Sequence, residues 1–192
     1  MTAASQPGAE GTAPAPRAWR RLPLLAWDAP LFCHAPADGV WDPSRLAQPG
    51  DEHDRWSRPG QRTAYLASDP GVCLAELARH HPPDAGREEH RILRLESLPA
   101  GPTGLVDLRD EAVLRALGVT RPTTSFLDRE RARGIADRIR ADTRHHGLIV
   151  PSMAFLDDPA RCNVVLFAER FGGLGEVLQL SSEVARVELG PA

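Results

Sequence analysis

The stretch RWSRPGQRTAYLASDPGVCLAELARHH, residues 55–81, carries the clearest fold signal in the chain. Within it, RTAYLAS is typical of a β-strand, and DPGVCLAELARHH predicts an α-helix. Asp69 is a suitable N-cap for that helix, and Pro70 suits its first turn. The stretch therefore predicts a β–α unit. Arg55, Tyr65 and Glu76 are spaced ten and eleven residues apart around this unit, a pattern that packing alone does not demand.

Length and charge are those of one ordinary domain. The chain has 192 residues, enough for a single domain with a buried core. Its formal net charge of −3 argues against a global basic field of the kind that attracts nucleic acid or an acidic membrane. All 23 basic residues are Arg, which excludes a lysine Schiff base and a Walker-type phosphate loop.

Cysteine usage and hydropathy predict a cytoplasmic protein. Cys33, Cys73 and Cys162 are odd in number and widely spaced, so they indicate neither a disulfide framework nor a zinc knuckle. No segment approaches about eighteen consecutive apolar residues, and the N-terminus has no signal-peptide pattern. We expect neither a membrane span nor a membrane partner.

The remaining segments predict further strands and helices. Residues 1–22 form an Ala/Pro/Gly-rich segment that we expect to be a disordered tail, and residues 23–192 form the folded domain. One short strand is expected between residues 20 and 59. Later strands are predicted in HRILRLES, TGLVDLR, GLIVPS, CNVVLFAERF and EVLQLSSEVARVEL, the last as one or two edge strands. Helices are predicted in RDEAVLRALG and in DRERARGIADRIRADTRHHG, with Gly147 ending the second.

Two stretches together resemble the RES domain family. The first is the segment 55–81 quoted above, and the second is HHGLIVPSMAFLDDPARCNVVLF, residues 145–167. The matching residues, in the family's order, are Arg55-Trp56-Ser57, Gly60, Tyr65, Glu76, His80, Pro151-Ser152 and Asn163. The resemblance covers residues 23–170.

The resemblance implies an NAD-consuming toxin of a two-component toxin–antitoxin pair. With the segments above, it predicts an α+β single domain with a mixed, mainly antiparallel sheet core flanked by helices, similar to ADP-ribosyltransferase toxins. NAD is implied as a substrate, so no cofactor is expected. The other implied partner is a cognate antitoxin protein of the Xre type, compatible with a hetero-oligomer of the two, and no direct contact with nucleic acid is expected. Phosphate, water and a protein side chain all remain open as acceptors of the ADP-ribosyl group.

The residues that carry the resemblance suit the cleavage of NAD. Breaking the nicotinamide–ribose bond builds positive charge on the ribose, and the carboxylate of Glu76 is the candidate that stabilises it. Arg55 offers a planar fork for the pyrophosphate, and Tyr65 an aromatic face for the nicotinamide ring. Ser152 and Asn163 offer hydrogen bonds to phosphate or ribose oxygens. We therefore assign Arg55, Tyr65, Glu76 and Ser152 to catalysis, and Arg55, Tyr65, Ser152 and Asn163 to NAD binding.

Each of these residues also has a simpler structural interpretation. Tyr65 can be a core residue, and Arg55 can pair with Glu76 across the surface, an interaction worth about 0–1 kcal/mol. Ser152 can cap a turn, and Asn163 can be an Asx-turn residue. The joint occurrence of these residues in the family's order favours the functional interpretation.

Two departures from the family pattern motivate an alternative function. Ser57 stands where the family usually has Asn, and residues 153–158 lack an Arg often found there. The alternative is a non-catalytic RES-like binding module that acts through protein contacts or ligand sequestration. DEHD at residues 51–54 and two His-His pairs have no HExxH or Cys/His spacing, so no metal site is predicted.

Overall fold

The computed structural model of the protein describes residues 21–81, 86–99 and 101–190. The strands are β1 Leu31–Pro36, β2 Thr63–Ala67, β3 Glu88–Ser97, β4 Leu105–Asp107, β5 Gly147–Pro151, β6 Cys162–Phe167 and β7 Leu178–Leu189. The helices are α1 Pro70–His80, α2 Glu111–Ala116, α3 Pro122–Leu127 and α4 Arg129–Arg140, and 3-10 segments lie at Pro43–Ala47, Ala168–Arg170 and Leu174–Glu176. Of the predicted tail, residues 1–20 lie outside the described residues, and Leu22 is buried in the core.

The seven described strands form one sheet in the order β4-β5-β6-β2-β1-β3-β7. Only β4 and β5 pair in parallel, and every other neighbouring pair is antiparallel. The central strands β5 and β6 are the continuous apolar runs, which suits strands that are covered on both faces. The predicted α+β class with a mixed, mainly antiparallel sheet is confirmed.

Helix α1 begins and packs as its sequence indicates. The Asp69 side chain accepts a hydrogen bond of 3.0 Å from Val72 N, and Pro70 is the first helical residue. The buried side chains of α1, which are Val72, Cys73 and Leu77, pack against Phe32 and Ile92 of the sheet. The strand and helix predicted from residues 55–81 are both confirmed.

The alternation of side chains along β2 shows that two groups of helices lie on one face of the sheet. Tyr65 packs against the cluster formed by α2, α3 and α4, whereas Ala67 packs against α1. Because residues two apart on a strand lie on the same face of a sheet, both groups of helices cover one face. Ala64 and Leu66 point to the opposite face, which is covered in part by the 3-10 segments that contain Ala47 and Leu174.

The predicted end of the long helix at Gly147 is wrong. Helix α4 ends at Arg140, and the chain turns at Asp142, whose carboxylate accepts from Arg144 N at 3.1 Å. Gly147 instead begins β5, where an added Cβ would lie 2.3 Å from the carbonyl oxygen of Val165. The glycine is therefore required by the close approach of two central strands rather than by a helix end.

Two other segments were less clear from the sequence. The short strand expected between residues 20 and 59 is β1, and the sequence did not indicate helix α3, PTTSFL. Across the ranges that the structure describes, no helix is long and apolar enough to cross a membrane.

Candidate active site

Glu76 lies on α1, and one oxygen of its carboxylate accepts hydrogen bonds from two other segments. Glu76 Oε1 accepts from Ser152 Oγ at 2.6 Å and from Met153 N at 2.8 Å. It also accepts from Asn163 Nδ2 at 3.2 Å and, at 3.4 Å, from Ala154 N. These donors come from the end of β5 and the start of β6, so the carboxylate joins α1 to the centre of the sheet.

The second carboxylate oxygen has a different environment. Glu76 Oε2 accepts from Arg79 Nη1 at 2.9 Å, three residues along the same helix. The side chain of Glu76 is 19% exposed and that of Arg79 is 43% exposed. Burial raises the pKa of Glu76. Hydrogen bonds from Ser152, Asn163 and Ala154, together with the charge of Arg79, lower the pKa by more than burial raises it, so the net pKa lies below its usual range. Glu76 is therefore a carboxylate at neutral pH.

Ser152 and Asn163 owe their positions to β5 and β6. Asn163 pairs with Val150 on one side and with Ala67 on the other, so it sits in the middle of the sheet. Ser152 is fully buried directly after β5, and its N–H donates to the carbonyl of Arg161. Both side chains were predicted to contact the substrate directly, and in the structure both donate to Glu76.

The segment between Ser152 and Arg161 folds back on α1. Phe155 N donates to the carbonyl of Ser152 at 3.2 Å, and the Phe155 ring packs against the cluster of α1 side chains. The guanidinium of Arg161 lies 3.7 Å from the centre of that ring. This folded segment fixes the backbone N–H groups that face Glu76.

Arg55 lies between the two groups of helices and is fixed by the end of α3. Its Nη1 donates to the carbonyls of Phe126 at 2.5 Å and Leu127 at 2.9 Å. Within the described residues these are the hydrogen bonds of the Arg55 side chain, and none of them involves Glu76. The simple interpretation in which Arg55 pairs with Glu76 is therefore not what the structure shows.

Tyr65 is packed and its hydroxyl is engaged. The ring packs with the cluster that contains Trp56 and Phe126, and Tyr65 Oη accepts from Trp56 N at 3.2 Å. Ser57 Oγ lies 3.1 Å from Tyr65 Oη and also donates to Asp54 Oδ2 at 3.1 Å. Burial raises the pKa of Tyr65 to about 12, so the phenol is protonated at neutral pH.

Three parts of the site were missed from the sequence. The backbone N–H groups of Met153 and Ala154 carry no sequence signal, because every residue except Pro has one. Arg79 does carry a signal, since residues three apart on a helix are neighbours and Glu76 is followed by Arg79 at that spacing.

The other candidate chemistries have no site in the described residues. In that part of the chain, no group of three or more His, Cys, Asp and Glu side chains is arranged to hold a metal ion. Cys33, Cys73 and Cys162 are buried, and burial raises the pKa of each thiol.

Comparison with known proteins gives one family and one fold. The model of the RES domain matches residues 17–184. No curated protein matches the chain. Among solved structures, the chain is similar to a chain in the crystal structure of the M. tuberculosis MbcT–MbcA toxin–antitoxin complex, with 16% sequence identity, a TM-score of 0.63 and 92% of each chain covered. At that identity the likeness shows a shared fold.

Proposed function

Since the chain belongs to the RES domain family, we propose that it is a toxin that cleaves the nicotinamide–ribose bond of NAD and is neutralised by a cognate antitoxin. The observation that carries the proposal is the hydrogen bonding of the Glu76 carboxylate. One oxygen is held by donors from the sheet, and the other is bound by a partly exposed arginine. This is a charged group held rigidly, with one oxygen that a substrate can reach once Arg79 moves aside.

Glu76 suits the charge that develops when NAD is cleaved. As the bond between C1′ of ribose and the nicotinamide nitrogen breaks, its electron pair goes to that nitrogen and neutralises the pyridinium. The positive charge moves to C1′ and the ribose ring oxygen, where the Glu76 carboxylate stabilises it. An acceptor oxygen from phosphate, water or a protein side chain then forms the new bond to C1′, and a hydroxyl acceptor also releases its proton.

Arg55 and Tyr65 are the residues that we propose to hold the dinucleotide. In the described residues, hydrogen bonds to protein occupy only Nη1 of Arg55, so its other N–H groups are available to the pyrophosphate. The Tyr65 ring lies on the same face of the sheet as Ala67, on the side covered by α2, α3 and α4, and we propose that it stacks on the nicotinamide ring.

Ser152 and Asn163 act in this proposal through Glu76. Both donate to Oε1, so they position the carboxylate and keep it charged. Contact of either side chain with phosphate or ribose stays a prediction from the sequence.

One observation favours the alternative of a non-catalytic binding module. Both oxygens of Glu76 already have donors within the chain, so a substrate must displace Arg79 before it reaches the carboxylate. A chain that binds NAD without displacing Arg79 would sequester the ligand and not turn it over.

Turnover of NAD separates the two functions. The purified chain is incubated with NAD, with and without inorganic phosphate, and released nicotinamide is measured. We expect release in at least one condition, and the dependence on phosphate identifies the acceptor. If the chain binds NAD and releases no nicotinamide in either condition, the proposal of an NAD-cleaving toxin is rejected in favour of the non-catalytic binding module.

A chain that cleaves the NAD of its own host cell requires a separate inhibitor. An enzyme that drains NAD must be kept silent, and we propose a cognate antitoxin of the Xre type that inserts a tail or helix into the cleft near Arg55 and Glu76. The shared fold with a chain from a toxin–antitoxin complex supports this partner. The test expresses the chain alone and with the product of the adjacent gene, and measures growth and cellular NAD. Normal growth and NAD with the chain alone would contradict the toxin.

A further inference from the structure

Arg79 covers the oxygen of Glu76 that the proposed reaction needs. Glu76 Oε1 is filled by Ser152, Met153 and Asn163, whereas Arg79 Nη1 lies 2.9 Å from Oε2. Because Oε1 already accepts four hydrogen bonds, we expect ribose to approach the carboxylate from the side of Oε2. The guanidinium of Arg79 must therefore move aside when substrate enters, and its 43% exposed side chain leaves it free to do so.

The surroundings of Arg79 determine what it meets after moving. Burial lowers the pKa of Arg55, and the charges of Arg129 and Arg79 lower it further against the attraction of Glu76. Arg55 therefore lies close enough to Arg79, Arg129 and Glu76 to interact with the charge of each, and the guanidinium groups at this place outnumber that carboxylate. Arg129 is exposed, and within the described ranges its side chain makes no hydrogen bond or ion pair. An anionic group next to the ribose is the ligand that this charge favours.

We propose that Arg79 selects substrates that carry phosphate beside the reacting ribose, by exchanging its bond to Glu76 Oε2 for a bond to a phosphate oxygen. The inference rests on the proposed function and adds a specificity residue to it. When the substrate carries a phosphate, the guanidinium of Arg79 exchanges its bond to the Glu76 carboxylate for a bond to a phosphate oxygen. A nucleoside without phosphate displaces Arg79 from Glu76 and provides no other anion for its guanidinium. Arg79 therefore lowers the affinity for that substrate.

A role in stability alone does not account for this arrangement. An ion pair between residues three apart on a helix stabilises that helix only slightly. Glu76 already has several donors on Oε1 that hold its geometry. A residue that only supported Glu76 would affect every substrate equally, and this difference makes the proposal testable.

The experiment compares NAD with nicotinamide riboside, which has the same scissile bond and no phosphate. For Arg79→Gln, we expect kcat/KM for NAD to fall by about 10- to 100-fold, the effect of losing a hydrogen bond to a charged group. We expect kcat/KM for nicotinamide riboside to stay within about threefold or to rise, because no guanidinium then competes for Glu76. Arg79→Lys should keep part of the preference, since it keeps the charge and loses the fork.

Arg115→Gln is the matched control. Arg115 is a 76% exposed arginine that pairs with Glu111 along α2. Its replacement should leave kcat/KM unchanged for both substrates. Binding of ADP-ribose and of adenosine, measured by calorimetry, gives a readout that needs no turnover. Arg79→Gln should weaken the binding of ADP-ribose by about 10-fold or more and leave the binding of adenosine unchanged.

The outcomes separate this inference from the proposed function. Equal losses for NAD and nicotinamide riboside, or unchanged binding of ADP-ribose, would overturn the role of Arg79 and leave NAD cleavage standing. A wild-type chain that binds ADP-ribose through Arg79 and releases no nicotinamide would support the phosphate site and overturn catalysis. A chain that binds neither NAD nor ADP-ribose would overturn both.

Discussion

Replacing Glu76 by Gln removes one charge from the candidate site and keeps most of its hydrogen bonds. The carbonyl oxygen of Gln can accept from Ser152, Met153 and Asn163 as Glu76 Oε1 does. The new amide group faces Arg79, which is 43% exposed and can turn into water. We therefore expect the fold and the thermal midpoint to change little, and the effect to fall on catalysis.

The size of the effect follows from the position of the charge. For a carboxylate that is 19% exposed, an effective dielectric constant of about 20 is suitable, and a cationic ribose about 4 Å away is then stabilised by about 4 kcal/mol. Loss of that stabilisation lowers kcat/KM by about 10³-fold. Part of the loss should appear in KM, because the nicotinamide ring is already positive in bound NAD and also attracts the carboxylate.

The assay measures nicotinamide release by the wild-type chain, Glu76→Gln and Glu111→Gln. Glu111 is a 91% exposed glutamate on α2 that makes no contact with Glu76, so its variant controls for the loss of one negative charge outside the candidate site. Circular dichroism during heating checks that each variant is folded. A folded Glu76→Gln chain with kcat/KM within about threefold of wild type would refute the assignment of Glu76.

Three further substitutions test other parts of the structure. Ser152→Ala removes a hydrogen bond that lowers the pKa of Glu76, so the acid limb of the pH–rate profile should move to higher pH; an unmoved limb would count against the positioning role. Arg55→Ala should raise KM for NAD and lower the free energy of unfolding by about 1–3 kcal/mol, because two carbonyls at the end of α3 lose their donor. Urea titration and steady-state kinetics measure these effects, and a normal KM would exclude the anchoring role. Partial desolvation, followed by the charges of two neighbouring histidines, lowers the pKa of His34 from 6.5 to about 4. The unfolded chain then binds more protons between these values, but His34 is exposed on β1 and solvent screens the effect, so stability should fall only slightly as pH drops through this window; His34→Gln should remove that small fall and exposed His53→Gln should not.

The sequence predicted the elements whose signals are local. Helix α1 has its N-cap at Asp69 and Pro70 in its first turn, and both features appear in the structure. Strands β5 and β6 are apolar runs of strand length, because both faces of a central strand are covered. The resemblance to the RES domain family rested on residues with this kind of order along the chain, and the family match confirms it.

The elements that were missed depend on distant contacts. Helix α3 has six residues and no helical periodicity, and its last carbonyls are satisfied by Arg55, 71 and 72 residues away along the chain. The end of α4 was misjudged because Gly147 matches a helix stop in sequence. In the structure that glycine is needed where β5 approaches Val165 of the next strand.

The residues of the candidate site were singled out one by one, and the hydrogen bonds that join them were not predicted. Ser152, Asn163 and Glu76 were singled out separately, and the structure places them at one carboxylate oxygen. Three-dimensional pairing of β5 with β6 produces that meeting, and no spacing along the chain encodes it. Each side chain can serve a substrate or a neighbour with the same donor, so the sequence alone could not decide between these partners.

The carboxylate of Glu76 and its donors are synthesised at different times. Ser152 follows Glu76 by 76 residues and Asn163 follows it by 87. Ribosomes add about 5–20 residues per second, so Asn163 is made roughly 4–17 s after Glu76. Contacts between such distant residues form late in folding, because the chain between them must first be closed into a loop. On the proposed function, a nascent chain stays harmless until Ser152 and Asn163 have been made, and a ribosome that stalls before residue 152 releases a fragment with no positioned carboxylate.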